Sequence, residues 1–434
     1  MKKVTLVLGL GVSGRAAAEF LLAQGEAVIG IDASLGIETR ALEALGLLVQ
    51  QESSPIDWNR VDKLVVSPGI PQSHPLYVRA KVEGIPIIGE VQLALPSLQK
   101  PLLAVTGTNG KTTVTLLAAH ILNSSGIKAK ALGNIGTPLC QYVMQPEQMD
   151  VFVIELSSYQ LETLHTPVFD AAVLLNITPD HLDRYSGMHA YAAAKCHLQN
   201  LVRAAGAFFV QAQAADQFGA LLMGREYQRF GMQKGLDLWS DKSQIVYREK
   251  MECLLPLHYR EMGGHDCENV LAAWALCRPF GLLPEQFCEA LSTFQKPPHR
   301  IAFVREVAGV SYFDDSKGTN IDAVVQAVGT MKGDVVLIVG GVDKGASYLP
   351  WKDHFLGKVK KMIAIGEAAP KIYRELHPYF SIQLAGCLEE AVQIARADAK
   401  RGDCVLLSPG CSSYDMFCDY AHRGEAYQRA VQTL

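Results

Sequence analysis

Residues 102–113 read Leu-Leu-Ala-Val-Thr-Gly-Thr-Asn-Gly-Lys-Thr-Thr. An apolar run that predicts a buried strand enters a glycine-rich turn, and an apolar-periodic helix over 114–122 follows. In that setting backbone N–H groups close around phosphate oxygens, and the helix N-terminus adds partial positive charge. Lys111 is placed to reach terminal phosphates and Thr112 to hold Mg²⁺, with Gly107, Thr108, Asn109, Gly110 and Thr113 forming the rest of the loop. The generic phosphate-loop spacing puts a glycine five positions before Gly110, where this chain has Val105. The loop is therefore a narrower variant, Gly-Thr-Asn-Gly-Lys-Thr.

Further along, Glu155 ends a second apolar run (150–155), where an acid serves Mg²⁺ directly or through water. Ser157, Ser158 and Gln160 follow it as a polar cluster. Thr178-Pro179-Asp180-His181-Leu182-Asp183 follows a third apolar run, and His181 there suits a second metal ligand or a proton carrier. Lys195, in Ala192-Ala193-Ala194-Lys195, reads from spacing alone as a solvated helix lysine. Arg300 has the planar fork that matches phosphate oxygens. Asp314-Asp315-Ser316-Lys317-Gly318-Thr319-Asn320 lies between a strand and a helix. The segments 340–345 and 408–413 repeat the strand-to-glycine/serine turn, so these turns are expected along one edge of a sheet.

The elements that must position these groups divide the chain into three α/β segments. Residues 1–90 open with a strand (4–8), then Gly9-Leu10-Gly11-Val12-Ser13-Gly14, a helix (15–24) and a strand that ends at Asp32. This G-x-G-x-x-G layout with a following acid suits a dinucleotide, but the unit stops at half the size of a full dinucleotide domain. A small domain for a nucleoside diphosphate fits equally. Residues 91–296 alternate strands (150–155, 171–176, 207–210) with helices, which implies a parallel sheet covered on both faces. The polar stretch 225–260 is expected as a small β element, before helices at 269–277 and 284–293. Lys296-Pro297-Pro298 reads as a linker. Residues 297–434 alternate again, with strands at 335–339, 361–365, 382–385 and 404–407 and helices at 321–331, 370–376, 388–400 and 415–434.

Composition narrows the function classes. The chain of 434 residues is too long for one core, and 49% apolar with 19% charged residues describes a globular protein. A formal net charge of −4 without a basic run gives nucleic acid no foothold. Ten scattered cysteines show neither C-x-x-C pairs nor zinc spacing, as suits a reducing cytoplasm. The start, Met1-Lys2-Lys3 before an apolar run with Ala16-Ala17-Ala18 beyond, has the look of a signal peptide. Glycines 9, 11 and 14 interrupt it, so a strand–turn–helix is the better account. No stretch approaches the ~20 apolar residues of a membrane span.

Taken in order, five motifs resemble the Mur ligases, the ATP-dependent amide-forming enzymes of peptidoglycan synthesis. They are residues 107–112, Glu155-Leu156-Ser157-Ser158-Tyr159-Gln160, residues 176–183, His299-Arg300 and residues 314–320. The short first segment, Ser67-Pro68-Gly69-Ile70 and residues 408–413 point to the branch that adds D-glutamate to UDP-N-acetylmuramoyl-L-alanine. The resemblance implies three domains: a Rossmann-like UDP-substrate domain (1–90), a central ATP-binding domain with a P-loop ATPase-like parallel sheet (91–296), and a Rossmann-like amino-acid domain (297–434). It implies that ATP phosphorylates the substrate carboxylate, that the amine attacks the acyl phosphate, and that a tetrahedral intermediate then loses phosphate. Lys111, His181, Lys195 and Arg300 would be catalytic. Thr112 and Glu155 would serve one Mg²⁺, and His181 with Lys195 a second. Lys195 matches a lysine that the family carbamylates with CO₂. Asn269, Arg300, Asp315 and Lys317 would join the loop around ATP. Val12, Ser13, Asp32, Gly69, Asn134, Ser157, Gln160 and His181 would contact the UDP substrate. Thr319, Lys344, Ser413 and Tyr414 would form the D-glutamate pocket. A cytoplasmic monomer that closes its domains on substrate is expected.

Two departures bear on this reading. Related enzymes often carry Thr-Arg after the acid that matches Asp32, where this chain has Ala33-Ser34. The adenine motif His-Asn-x-x-Asn is replaced by His265-Asp266-Cys267-Glu268-Asn269, so only Asn269 carries over. Three rivals fit parts of the sequence. A folylpolyglutamate synthase shares the phosphate loop but lacks the domain of Gly9 to Gly14. An NAD-dependent dehydrogenase accounts for Gly9 to Gly14 and Asp32 but not Lys111. A non-catalytic nucleotide switch would form no product.

Overall fold

Three sheets carry the chain in a computed structural model that describes residues 3–33, 39–257, 259 and 262–434. The first sheet holds β1 (Val4–Leu8), β2 (Val28–Asp32), β3 (Leu48–Gln51), β4 (Val61–Val66) and β5 (Ile87–Gly89), all parallel, in the order β3-β2-β1-β4-β5. The direction of winding reverses at β1, so the turn after it sits at the switch point where open α/β sheets bind ligands. Ser34 falls outside the described residues, as do Met1 and Lys2.

The second sheet holds β6 (Leu102–Thr106), β7 (Ala129–Gly133), β8 (Val151–Glu155), β9 (Phe169–Leu174), β10 (Val202–Gln211), β11 (Gln228–Gly231), β12 (Leu238–Ser240), β13 (Gln244–Tyr247) and β14 (Lys250–Leu254). Its order is β14-β13-β12-β11-β10-β9-β6-β8-β7. All five residues of β6 and of β8 are buried, as befits strands covered on both faces. β6 lies between β8 and β9, so its C-terminal turn is again at a switch point. The helix Lys111–Ser124 follows that turn. Its apolar positions 114, 117, 118, 121 and 122 form one stripe and are all buried. The helices Gly264–Cys277 and Pro284–Thr293 both pack on it.

The third sheet holds β15 (Ala302–Val307), β16 (Val310–Asp314), β17 (Val335–Gly340), β18 (Val359–Ile365), β19 (Ile382–Leu384) and β20 (Cys404–Leu407), in the order β15-β16-β20-β17-β18-β19. β15 runs antiparallel to β16 and the others are parallel. Since β20 lies between β16 and β17, the turns after these three strands are neighbours on one sheet edge.

By contact the chain divides into two compact units. Residues 1–177 with 192–294 form one, and residues 178–191 with 295–434 form the other. The His181 segment thus belongs to the unit of the third sheet. Among the described residues no helix is long and apolar enough to cross a membrane.

The differences from the sequence reading have local causes. The edge strands β3 and β7 carry no run of buried apolar residues, so pattern gave no sign of them. The stretch 225–260 is β structure as expected, and it extends the central sheet: β11 and β12 add parallel strands, and β13 and β14 complete it as a hairpin. The last helix begins at Tyr420 rather than at 415, because the Asp419 side chain caps it by accepting the His422 N–H.

Phe287 is fully buried against Trp274, with ring centroids 4.6 Å apart and nearly perpendicular, in the core behind the helix Lys111–Ser124. Phe287→Ala should lower the urea unfolding midpoint by an amount equivalent to about 3–5 kcal/mol.

Candidate active site

Side-chain space decides the geometry of the turn after β6. Gly110 caps the following helix with φ +88°, and a Cβ there would run into the Asn269 carboxamide. A Cβ on Gly107 would stand 2.7 Å from the Leu175 Cβ. The turn is fastened to the end of β9: Thr108 N–H donates to the Asn176 carbonyl (2.7 Å) and Asn109 N–H to the Asn176 side-chain oxygen (2.8 Å). Asn176, to which sequence reasoning gave no role, thus holds the turn, and the Asn269 carboxamide lies against it at Gly110.

Two ammonium groups converge on one carbonyl. Lys111 Nζ donates to Gly107 O (2.9 Å) and Thr108 O (2.7 Å), and Lys195 Nζ donates to the same Gly107 O (2.8 Å). Lys195 is 1% exposed, which corrects its reading as a solvated helix lysine. The small residues before it let its helix lie against the loop, so the side chain points inward. Positive charge is thereby concentrated where the helix dipole and the loop N–H groups already favour an anion.

Glu155 lies beside this loop at the end of β8, with β6 as its neighbour. It is 1% exposed; Oε1 accepts from Asn134 Nδ2 (3.0 Å), while Oε2 is buried with no hydrogen-bond partner. A dry carboxylate oxygen without a donor is costly unless a cation completes it. Among the described residues no three His, Cys, Asp or Glu side chains gather as a metal cage. One carboxylate together with phosphate oxygens is a usual arrangement for Mg²⁺. Ser157 and Gln160 form a capping box, Ser157 Oγ accepting the Gln160 N–H (3.2 Å) and Gln160 Oε1 accepting the Ser157 N–H (3.0 Å). Gln160 is buried and Ser157 half-buried.

At the turn after β1, Asp32 accepts the Leu10 N–H (2.6 Å) and Ser67 donates to Gly9 O (2.6 Å). Asp32 therefore shapes the turn. Gly14 lies so close to the Gly9 carbonyl that no side chain fits there. Val12 and Ser13 open the helix Val12–Ala23, with Val12 largely exposed, and Gly69 is exposed on the turn after β4.

The second unit holds its own constellation. Asp180 accepts from Lys344 Nζ (3.0 Å), from Asn320 Nδ2 (3.4 Å) and from the His181 N–H (2.9 Å), and Lys344 also reaches Thr319 Oγ1 (3.5 Å). Asp180, Asn320, Lys344 and Tyr348 line one small cleft. Sequence reasoning gave Asp180 and Asn320 no role, although Asp180 adjoins His181. The backbone at His181 is left-handed, with φ +55°. Ser413 is buried, while the Tyr414 side chain is three-quarters exposed. His181 belongs to this unit, Lys195 to the other.

Buried polar groups hold the turns after β16, β17 and β20. His299 Nδ1 lies 2.6 Å from Asp314 Oδ2. Arg423, 1% exposed, donates to the carbonyls of Ser316 (2.9 Å), Cys411 (3.1 Å) and Ser412 (3.3 Å). Its place in the last helix carried no sequence signal. The Lys317 ammonium stands 3.7 Å from the centre of the Tyr420 ring. Asp315 accepts from Ser408 Oγ (2.7 Å); burial raises its carboxyl to about 7, against the lowering pull of that hydrogen bond and of Arg300.

Three stretches match known families: residues 3–89 the Mur ligase MurD-like N-terminal domain, 105–277 the Mur ligase middle domain, and 299–411 the Mur ligase glutamate ligase domain. The chain is 47% identical over its full length to the UDP-N-acetylmuramoylalanine–D-glutamate ligase of Protochlamydia amoebophila, covering 98% of that protein. It is 38% identical to the ligase of the same name from Trichlorobacter lovleyi, over 100% of this chain and 99% of the other. Among solved structures it shares the fold of the MurF ligase of Thermotoga maritima in complex with ADP (TM-score 0.62, 16% identity, 94% of this chain and 95% of that one).

Asp315 sets a pH dependence. Between about pH 4 and about pH 7 the folded protein keeps a proton that the unfolded chain has released, so this group's contribution to stability falls as pH rises through that window. Urea midpoints measured across the window should drop more steeply for the wild type than for Asp315→Asn.

Proposed function

The chain belongs to the Mur ligase family, on its D-glutamate-adding branch, and from that premise we propose which of its residues perform each part of the reaction. The activity is the ATP-dependent ligation of D-glutamate to UDP-N-acetylmuramoyl-L-alanine in peptidoglycan synthesis. The observation that carries the assignment of the ATP site is the convergence of Lys111 and Lys195 on the Gly107 carbonyl, within a glycine turn at the head of a buried helix. Two ammonium groups this close favour an anion between or beside them. Lys111 would leave its loop carbonyls for the terminal phosphate oxygens of ATP, and Arg300 would supply a second cation. Asn269, Asp315 and Lys317 would serve the adenosine side.

Mur ligases are ATP-dependent and use Mg²⁺. The partnerless Oε2 of Glu155 and the hydroxyl of Thr112 fit such an ion. When bound, the ion would neutralise phosphate charge so that the anionic carboxylate could approach. Asn134 would fix the Glu155 carboxylate by holding its other oxygen. A second ion would take His181. Carbamylation of Lys195 would form an N–C bond to CO₂ with loss of two protons from the ammonium nitrogen and replace a buried cation by an anionic oxygen donor. The burial of Lys195 beside Lys111 supports this, because it places two like charges in a poorly hydrated site.

The UDP substrate would meet Val12, Ser13 and Gly69 at the open turns of the first sheet, with Asp32 acting through the Leu10 N–H. Asn134, Ser157, Gln160 and His181 would serve its muramoyl-alanine end. For D-glutamate, the grip of Lys344 on the Asp180 carboxylate supports a carboxylate-binding role, with Thr319 beside it and Ser413 and Tyr414 on the neighbouring turn. Transfer of the terminal phosphoryl group of ATP to the alanine carboxylate, attack by the D-glutamate amine and loss of phosphate complete the amide. We place this work in the cytoplasm and in a single copy of the chain.

The test supplies pure protein with ATP, Mg²⁺, bicarbonate, UDP-N-acetylmuramoyl-L-alanine and a panel of D- and L-amino acids. Phosphate release should depend on D-glutamate and match a product of the corresponding mass. Release with another amino acid would overturn the pocket assignment, and NADH binding without product would favour a dehydrogenase. Lys195→Ala should lose about 100-fold or more in turnover. Full activity in that variant, with no bicarbonate dependence, would overturn the carbamate.

A further inference from the structure

Cys253 and Cys288 are 35 positions apart in sequence, one on β14 and one on the helix Pro284–Thr293, yet their sulfurs lie 3.4 Å apart. The Leu254 carbonyl fixes both: it stands 3.2 Å from Cys288 Sγ and 3.6 Å from Cys253 Sγ. Cys253 is 1% exposed, whereas Cys288 is half-buried and reachable from solvent. We propose that Cys253 and Cys288 form a dithiol modification site, in which Cys288 meets a peroxide and Cys253 resolves the product as an intramolecular disulfide.

The steps balance. The Cys288 sulfur attacks one peroxide oxygen; an S–O bond forms, the O–O bond breaks, and water leaves after protonation. The Cys253 sulfur then attacks the Cys288 sulfenic sulfur; the S–S bond forms, the S–O bond breaks, and the hydroxide leaves as water with the Cys253 proton. Two thiols and one hydrogen peroxide give one disulfide and two waters. The order follows from access and hydrogen bonding. Burial raises both thiols above their ordinary range, and the contact between the two sulfurs works against this at Cys288 while adding to it at Cys253. Nearby Glu285 disfavours the thiolate at both positions and Glu252 at Cys253, so the reaction is slower than at an activated cysteine.

The bond would enclose the helix Gly264–Cys277, which carries Asn269 against Gly110. β14 is already tied to that helix and the residue after it, since Glu252 accepts from Trp274 Nε1 (2.7 Å) and from Arg278 Nη2 (2.7 Å). The helix of Cys288 is tied to the one that begins with Lys111, through His120 Nε2 and Ala290 O (3.0 Å). The crosslink would therefore brace the elements behind the phosphate loop.

The full-length protein is treated with hydrogen peroxide, its remaining thiols are alkylated, and its peptides are read by mass spectrometry without reduction. The expected result is a reducible link between the peptides of Cys253 and Cys288, with a higher thermal midpoint in the oxidised protein. In Cys253→Ser the reaction stops at a Cys288 sulfenic acid captured by dimedone. In Cys288→Ser no link forms, and oxidation of Cys253 slows by about tenfold or more. Should Cys253→Ser fail to fold, Cys288→Ser at the more open position carries the comparison. Oxidation of Cys288 past the sulfenic acid with Cys253 still alkylated overturns the proposal. So does a link that forms equally fast in urea-unfolded protein, or none at all. The exposed Cys387 and Cys418 report that oxidant reached the chain.

Discussion

The carbonyl of Gly107 is the point on which the geometry of the turn after β6 depends. It accepts from Lys111 and Lys195, and the turn that carries it is held from behind by Asn176. A phosphate loop has to keep its shape with few side chains of its own, so its polar groups must be tied down by neighbours. Here the neighbours come from the end of β9, from the helix Met188–Cys196 and from the helix Gly264–Cys277. β6 is an interior strand, between β8 and β9, so the turn at its end has neighbours on both sides. The glycines at 107 and 110 are the spatial counterpart of that crowding, since either side chain would strike what surrounds the loop.

The second unit meets the same need with charge. His299, Asp314, Asp315 and Arg423 are all nearly inaccessible to solvent. Burial of ionisable groups is not in itself a source of stability, because the lost hydration offsets much of the attraction. It does fix geometry, since each donor and acceptor must be matched. Arg423 spans the turns after β16 and β20 from a helix at the far end of the chain, which places Ser316 and the 411–412 backbone together. Asp180 plays a comparable part for Lys344, since a buried carboxylate sets the position of the ammonium.

All three sheets put polar turns at the C-terminal ends of parallel strands. The reason is general. Helices cover both faces of such sheets, so only the strand ends remain open to ligand, and helix N-termini point there. One chain can then bind a nucleoside-diphosphate substrate, ATP and an amino acid by varying the turns on a repeated architecture.

What the sequence determined by itself was local. The alternation of buried strands with helices, the glycine turns after β1 and β6, and the motifs around Glu155, His181, Arg300 and Asp315 all depend on neighbours within a few residues, so spacing alone revealed them. The family was legible for the same reason: its motifs are short and come in order. Tertiary structure decided what depends on distant partners. It turned Lys195 from an expected surface lysine into a buried donor to the phosphate loop. It made the stretch 225–260 an extension of the central sheet. It gave Asn176, Asp180 and Arg423 their positions and grouped residues 178–191 with the C-terminal unit. Edge strands such as β3 and β7 escaped notice because their burial is partial and leaves no pattern. The approach of Cys253 to Cys288 was equally invisible, since a strand and a helix in contact share no periodicity. Periodicity records which face of an element is buried; only packing decides what that face meets.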